Sequence, residues 1–399
     1  MKTCIRLVLS VLPFLLLAAP AFGAAQDALE SPDADVLRHL SIYEKRDAYC
    51  AWPAIARAEN GDIVVLYTRT EEHLGPNGEI LLSRSTDNGR TWLPPAIIYD
   101  TPLDDRESGV TRLADGRLLA HFRSVQWTPE AYLGLPANAY ETATLGRWIY
   151  YVDDPEYREA GAADGAWHAL SDDSGVSWSE PVPGRDSIHG GLHLQDGSFL
   201  VAAYRDDGGH IGVYASEKAL GDYRKIATVK SPQRDKVRFG EPHILQLPSG
   251  RILMMIRATA IPYDDKSPLC HLWGSYSDDG GETWTVPYKT PLWGYPPHLL
   301  QLSDGRILCT YGHRRPPYGQ RAAISEDGIT WKAENELVLR DDAPNKDLGY
   351  PVSIELEPGT ILTVYYQPNV PSGSDPRMVP PDPLRTKPGI LGTIWKLPE

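Results

Sequence analysis

Cysteine is scarce in this chain, four in 399 residues, and no pair stands at a zinc-binding spacing. Beyond Cys4 there remain Cys50, Cys270 and Cys309, an odd number that allows at most one disulfide. All three read as small buried residues. Positive charge is also short, with 39 Lys and Arg against 53 Asp and Glu, a net charge of −14. Such a chain is a poor match for nucleic acid or an anionic membrane, although a local basic pocket can still hold an anion. There is no phosphate loop, no nucleotide fingerprint and no metal constellation, so neither a cofactor nor a metal site is inferred. The one long apolar run, Leu7 to Ala19, follows Lys2 and Arg6 and precedes the small residues Ala21, Gly23 and Ala24. It is too short to span a bilayer. It reads as an export signal over residues 1–23, leaving 24–399 as one secreted or periplasmic domain without membrane insertion.

What the sequence does contain is a repeat. Six times a short apolar run, a turn glycine and a second apolar run follow one another, at Gly61, Gly116, Gly197, Gly250, Gly305 and Gly359. The spacings are 55, 81, 53, 55 and 54 residues. Around Gly250 the pattern gives strands at Pro242 to Leu247, Arg251 to Arg257 and Leu272 to Ser277, then a turn into a fourth. Each copy is thus a four-stranded antiparallel blade. The fold expected is all-β, a six-bladed β-propeller.

A second signature, Ser-x-Asp-x-Gly-x-Thr/Ser-Trp, marks the turn between strands three and four. It occurs at Ser85–Trp92, Ser171–Trp178, Ser277–Trp284 and, one residue shorter, Ser325–Trp331. Its aspartates, Asp87, Asp173, Asp279 and Asp327, are read as turn-holding rather than catalytic, because the same turn recurs in blades that cannot all share one active site. The sixth copy lacks the box, and after Thr360–Gln367 only one more strand, Gly389–Leu397, remains. The segment around His39–Glu44 is therefore expected to supply the missing fourth strand and close the ring.

Antiparallel order sorts the loops onto two faces. The starts of strand one, the ends of strand two and the loops from strand two to three share one face, opposite the boxes. Arg69, Arg123, Arg205, Arg257 and His313 stand at strand-two ends; Trp52, Glu107, Ile188, Glu241, Pro296 and Tyr350 stand at strand-one starts. They should rim one polar mouth able to hold a sugar or a carboxylate, unless the arginines pair with neighbouring acids instead. The extra length of the 81-residue interval, roughly 124–165, lies on this face and carries Trp127, Tyr132, Tyr140, Trp148, Tyr150, Tyr151 and Tyr157. An aromatic flap suits stacking on sugar faces, or forms a satellite cluster of its own. The proline-rich loop 368–388 joins it.

With its four boxes, the chain resembles the sialidase (neuraminidase) superfamily of glycoside hydrolases over essentially all of residues 24–399. Three further stretches carry the likeness: Gly240-Glu241-Pro242 with Gly250 to Arg257, Arg321 to Ser325 leading into a box, and Gly349-Tyr350-Pro351 before Thr360 to Tyr365. The resemblance implies an exo-acting glycosidase in which Tyr350 attacks the anomeric carbon and Glu241 takes its proton. It also implies that Arg257 and Arg321 bind the acidic part of a sugar; Arg69, Arg123 and Trp52 are expected as further binding residues from their offsets alone. A phenol, with a free pKa of about 10, needs such a base. Where the family has Arg-Ile-Pro this chain has Ala51-Trp52-Pro53, and no aspartate stands between Arg69 and Asn77. His73 or Glu72 takes the place of the family's acid/base aspartate. The partner implied is a glycan. Two other classes stay open, a non-catalytic carbohydrate-binding propeller and a polysaccharide lyase using His73 or Tyr350 as base.

Overall fold

Short strands separated by tight Gly, Asp and Ser turns cannot bury their apolar faces alone, and here they do so by stacking as sheets. A computed structural model describes residues 33–128, 151–204, 208–264, 267–369 and 387–398. Within them are six four-stranded antiparallel sheets forming a six-bladed β-propeller. In chain order the blades occupy 49–99, 104–183, 192–229, 237–293, 297–340 and 349–396. The sixth takes its outermost strand from the N-terminal side: Asp35–Tyr43 pairs antiparallel with Pro388–Lys396, with His39 opposite Thr393 and Leu40 opposite Gly392. The flap residues Tyr132, Tyr140, Trp148 and Tyr150, most of the loop 368–388, Arg205 and the segment 1–23 lie outside the described residues. No helix among the described residues is long and apolar enough to cross a membrane. Cys50, Cys270 and Cys309 are all free and buried.

The core lies between neighbouring blades. One cluster joins Ile63, Val65 and Tyr67 of blade 1 to Val352, Leu362 and Val364 of blade 6, with Trp92 packed against it. Trp331 is buried in a second, between blades 4 and 5. The box tryptophans thus sit where adjacent sheets meet. The box aspartates hold turns: Asp279 accepts from the backbone N–H of Thr283 (2.8 Å), the hydroxyl of Thr283 and that of Ser277 (2.8 Å). The same pattern repeats at Asp87, Asp173 and Asp327. These accepted bonds, led by the Thr or Ser hydroxyl, pull Asp87 and Asp173 down to about 2.

Ser277 gives a direct test of this turn. Its hydroxyl is buried, donates to Asp279 and accepts the backbone N–H of Gly281 at 2.9 Å. Ser277→Ala strands that N–H inside the protein. The expected cost is about 1–3 kcal/mol of unfolding free energy, measured by denaturant titration.

Strand one of four blades departs from the regular ladder in one and the same way. Tyr49–Arg57, Asp104–Arg112, Val237–Gln246 and Gly349–Glu357 each carry a register break, between Ala51 and Ala54, Arg106 and Gly109, Gly240 and His243, and Gly349 and Val352. At each break one non-glycine residue has a positive φ: Trp52 (55°), Glu107 (56°), Glu241 (43°) and Tyr350 (53°). Three of these are followed by proline, Pro53, Pro242 and Pro351, which cannot donate to the ladder and is tolerated at a bulge. The bulge residues were expected at strand starts. Tyr350 does stand at the start of its strand, next to Gly349, whereas Trp52, Glu107 and Glu241 lie inside longer strands, Glu241 four residues after Val237; the extra unpaired residue is what turns their side chains out of the pleat.

Candidate active site

Two of the four bulges bring their side chains into direct contact, and a third, Trp52, packs edge-on to Tyr350. The phenol of Tyr350 donates to Glu241 Oε1 at 2.9 Å, although the two residues are 109 positions apart. Arg257, on strand two of blade 4 (Ile252–Ala260), donates through Nη1 to the other carboxylate oxygen at 2.5 Å and stands 3.4 Å from Tyr350 Oη. Tyr350 is 4 % exposed and the Glu241 side chain 13 %, so the pair sits in largely dry surroundings with a small part of each in contact with solvent. Burial first, and the Glu241 carboxylate second, push the Tyr350 phenol well above its ordinary value, against the pull of Arg257 and Arg314. Burial disfavours the Arg257 cation, but the attraction of Glu241 and Tyr350 outweighs it and holds its pKa well above the usual value.

Arg314 was not singled out by the sequence pattern, although it directly follows His313. Its Nε donates to the Leu348 carbonyl at 2.9 Å and its Nη2 to the Tyr366 hydroxyl at 3.2 Å. The Arg257 and Arg314 guanidiniums lie 4.4 and 5.2 Å from the centre of the Tyr295 ring, and Arg314 is 5.9 Å from that of Tyr350. Two cations therefore lie beside Tyr350, one of them already paired with Glu241.

Arg321 does not join them. It lies on strand three of blade 5 (Gly319–Ser325), two strand spacings or about 10 Å out from the inner strand. Its guanidinium is buried and bonded to the carbonyls of Gln320 and Arg340 at 3.1 and 2.7 Å, with Glu336 at 3.9 Å. A residue in mid-strand of the third strand points between blades, whereas a residue just past the end of strand two reaches the mouth. Arg69 and Arg123 keep the neighbouring acids: Arg69 binds Glu79 and the Tyr43 hydroxyl, and Arg123 binds Asp186 at 2.9 Å and Asp164 at 3.3 Å. Trp52 is 1 % exposed. It forms part of the wall, with the Arg106 guanidinium 4.3 Å from its ring, and presents no open face to a sugar.

The blade 1 loop separates its two candidate acids. Glu72 faces Lys387 at 3.7 Å. His73 stands edge-on to Trp52, ring centres 5.4 Å apart, and Trp52 stands edge-on to Tyr350 at 6.5 Å. His73 Nδ1 is 2.6 Å from the Tyr49 hydroxyl and 3.3 Å from Asp347 Oδ1. Tyr49 gives its only proton to Asp347 at 2.7 Å, so Nδ1 must donate to Tyr49. The His73 side chain is 41 % exposed. Burial raises the Asp347 carboxyl, but the charge of His73 and the bonds from His73 and Tyr49 outweigh it and hold it below the usual range.

On the far side Glu107 accepts the Tyr204 hydroxyl at 2.7 Å. Arg106 is held by Asp104 at 2.9 Å and donates to the His73 carbonyl at 3.1 Å. The described part of the flap meets this wall: Trp127 Nε1 donates to Asp104 at 2.8 Å, and its backbone N–H is capped by Tyr157 at 2.8 Å. Among the described residues no group of three or more His, Cys, Asp or Glu is arranged to hold a metal ion.

A six-bladed propeller with repeated Asp boxes is the fold that sialidases also have. The chain belongs to the BNR repeat-like domain family, whose model matches residues 121–363. A protein of unknown function from Dyadobacter fermentans is similar at 25 % identity over 92 % of this chain and 100 % of its own, with a TM-score of 0.70. The NanB sialidase of Streptococcus pneumoniae shares the fold at 14 % identity over 89 % of this chain and 70 % of its own, TM-score 0.58. An α-L-arabinanase of Penicillium chrysogenum does so at 12 % identity, 90 % and 98 % coverage, TM-score 0.54. No curated protein matches the sequence significantly.

Proposed function

We propose that this protein is an exported, exo-acting glycoside hydrolase that cleaves a terminal sugar through Tyr350 and Glu241. The observation carrying the proposal is the 2.9 Å hydrogen bond from the phenol to a carboxylate whose other oxygen is held by Arg257. The phenol is protonated at neutral pH and a weak nucleophile until a base takes its proton. Glu241 is in position to accept it as Oη bonds to the anomeric carbon, while Arg257 offsets the charge developing on the tyrosine oxygen. The leaving oxygen takes a proton from His73 Nε2, whose ring is oriented through Tyr49 and Asp347; Glu72 is spent on Lys387. Starting as the imidazolium, His73 is left neutral by that transfer; its Nε2 then takes a proton from the water that attacks the glycosyl–tyrosine, the tyrosine oxygen leaves and recovers its proton from Glu241, and the free sugar departs with every group restored. Arg314 replaces Arg321 beside Arg257 as a binder of an acidic substituent on the sugar, since it is the second cation at this mouth. Export rests on the sequence from Lys2 to Ala24.

The test is turnover of aryl glycosides of sialic acid, other ulosonic acids, uronic acids and neutral sugars. Release of the aryl alcohol together with a saturated sugar is expected from at least one class. An unsaturated, ultraviolet-absorbing sugar product reports a lyase instead. Binding without release reports a carbohydrate-binding propeller. Either result overturns the hydrolase. On a hydrolysed substrate, His73→Ala should slow an alkyl glycoside about 10²–10⁴-fold and a nitrophenyl glycoside far less, because only the poor leaving group needs the proton. Equal slowing of both removes His73 from the acid role.

A further inference from the structure

The strongest charge contrast in the molecule lies away from the catalytic mouth. Residues 224–238 hold six Lys and Arg and a single acid, a net +5 within a chain of −14. This stretch forms the outer strand of blade 3 (Arg224–Val229), the link to blade 4 and the start of that blade's inner strand. Beside it is a cavity of about 460 Å³ lined by His210, Lys225, Thr228, Lys230, Ser231 and Arg234. Among the described lining residues four are basic types, two carry hydroxyls, and none is a carboxylate. Asp235 is 4.0 Å from Arg234, both largely in solvent, and Lys225 and Thr228 have partners of their own. His210 contributes a buried Nδ1 that has no hydrogen-bond partner.

The topology fixes which face this cavity belongs to. His210 ends the loop from strand two to strand three, and Lys230 to Arg234 lie in the link between blades. Both kinds of connection run on the face that carries Glu241 and Tyr350. The cavity sits at the outer strand, three strand spacings or about 15 Å from the inner one. A single sugar in the mouth cannot touch it, but a chain leaving the mouth over blades 3 and 4 can.

We infer that this cavity is a second glycan-binding site that takes anionic groups, sulfate or carboxylate, on the distal part of a polymeric or conjugated ligand. A preorganised set of cations and hydroxyls in a concave site suits an oxyanion, and clustered positive charge on an acidic protein steers such a ligand to one face. The site requires no turnover at Tyr350, so its test is a binding measurement.

Binding of the whole protein to chondroitin sulfate, polygalacturonate, neutral arabinan and single-stranded DNA would be measured by titration calorimetry at low and moderate salt. The sulfated polymer distinguishes sulfate recognition from the carboxylate recognition reported by polygalacturonate. Tighter binding to one or both than to arabinan, weakening with salt, is expected. The variant Lys225→Glu/Lys230→Glu/Arg234→Glu should bind that polymer at least about tenfold more weakly. The variant should still unfold in one cooperative thermal transition, and turnover of any small aryl glycoside the wild type cleaves should be unchanged, since these side chains are exposed at the outer strand and the link between blades. Equal binding of arabinan, equal binding of DNA, no binding of either anionic glycan, or unchanged affinity in the variant would each overturn the assignment.

Discussion

Tyr350→Phe should lower kcat by at least about 10³-fold while leaving the protein folded. The ring stays: it contacts Trp52 and Tyr366 through ring centres 6.5 and 5.7 Å away, and phenylalanine keeps both contacts. What is lost is one oxygen, the atom that donates to Glu241 and lies 3.4 Å from Arg257. Glu241→Gln keeps the shape and removes the base, and kcat should fall about 10²–10⁴-fold. The two variants differ in a second readout. Glutamine leaves the nucleophile in place, so a glycosyl–tyrosine adduct remains detectable by mass after rapid quenching, whereas phenylalanine can form none. Turnover within tenfold of wild type for Tyr350→Phe would mean that another group attacks the sugar.

The repeat made this site partly legible before any coordinates. Turn glycines at near-constant spacing located six blades, and a common offset from them placed Glu241 and Tyr350 at one mouth. The reason the offset works was not visible. It marks a bulge with a left-handed residue, and proline after Trp52, Glu241 and Tyr350 was its sequence trace. Residues in such a conformation persist only where the surroundings hold them, and they gather at functional sites. The arginines were harder. An arginine motif ahead of a box pointed to Arg321, which the third strand buries between carbonyls, whereas Arg314 lies just beyond the end of strand two. The offset logic that placed Arg257 reaches Arg314 if extended by one residue past His313. Asp347 and Tyr49 had no pattern to reveal them. They meet His73 only because blades 6 and 1 close the ring, 298 positions apart in the case of Tyr49 and Asp347.

Acid should unfold this protein well before its surface carboxylates are all protonated. Three histidines crowd one another, His189, His243 and His298, with the last two rings 4.3 Å apart. His121 and His168 form a second pair at 4.2 Å. Burial drives His298 down to about 3 and His168 to about 4, and puts His121, His189 and His243 well below the ordinary value, their neighbouring imidazoles adding to the effect. All five are neutral in the folded protein at pH 5, but in the unfolded chain each takes a proton near pH 6.5. Below that pH the unfolded state binds more protons, so stability falls as pH falls, by up to about 1.4 kcal/mol per pH unit per histidine. Two buried carboxyls oppose this: burial raises Asp105 to about 6 and raises Asp104 as well, so they bind protons when folded. Five against two leaves a net loss on the order of 5 kcal/mol between pH 7 and pH 5. The loss sets in as pH falls through about 6.5, the unfolded-state value, and fades about one unit above it; below about pH 4 the depressed box aspartates add to it. Urea midpoints at pH 7, 6 and 5 measure the effect, and His298→Asn should reduce the proton uptake on unfolding at pH 5 by about one. A midpoint that does not move between pH 7 and 5 would mean that these imidazoles accept protons in the folded state, and so that the centre of the propeller admits water or a counter-ion.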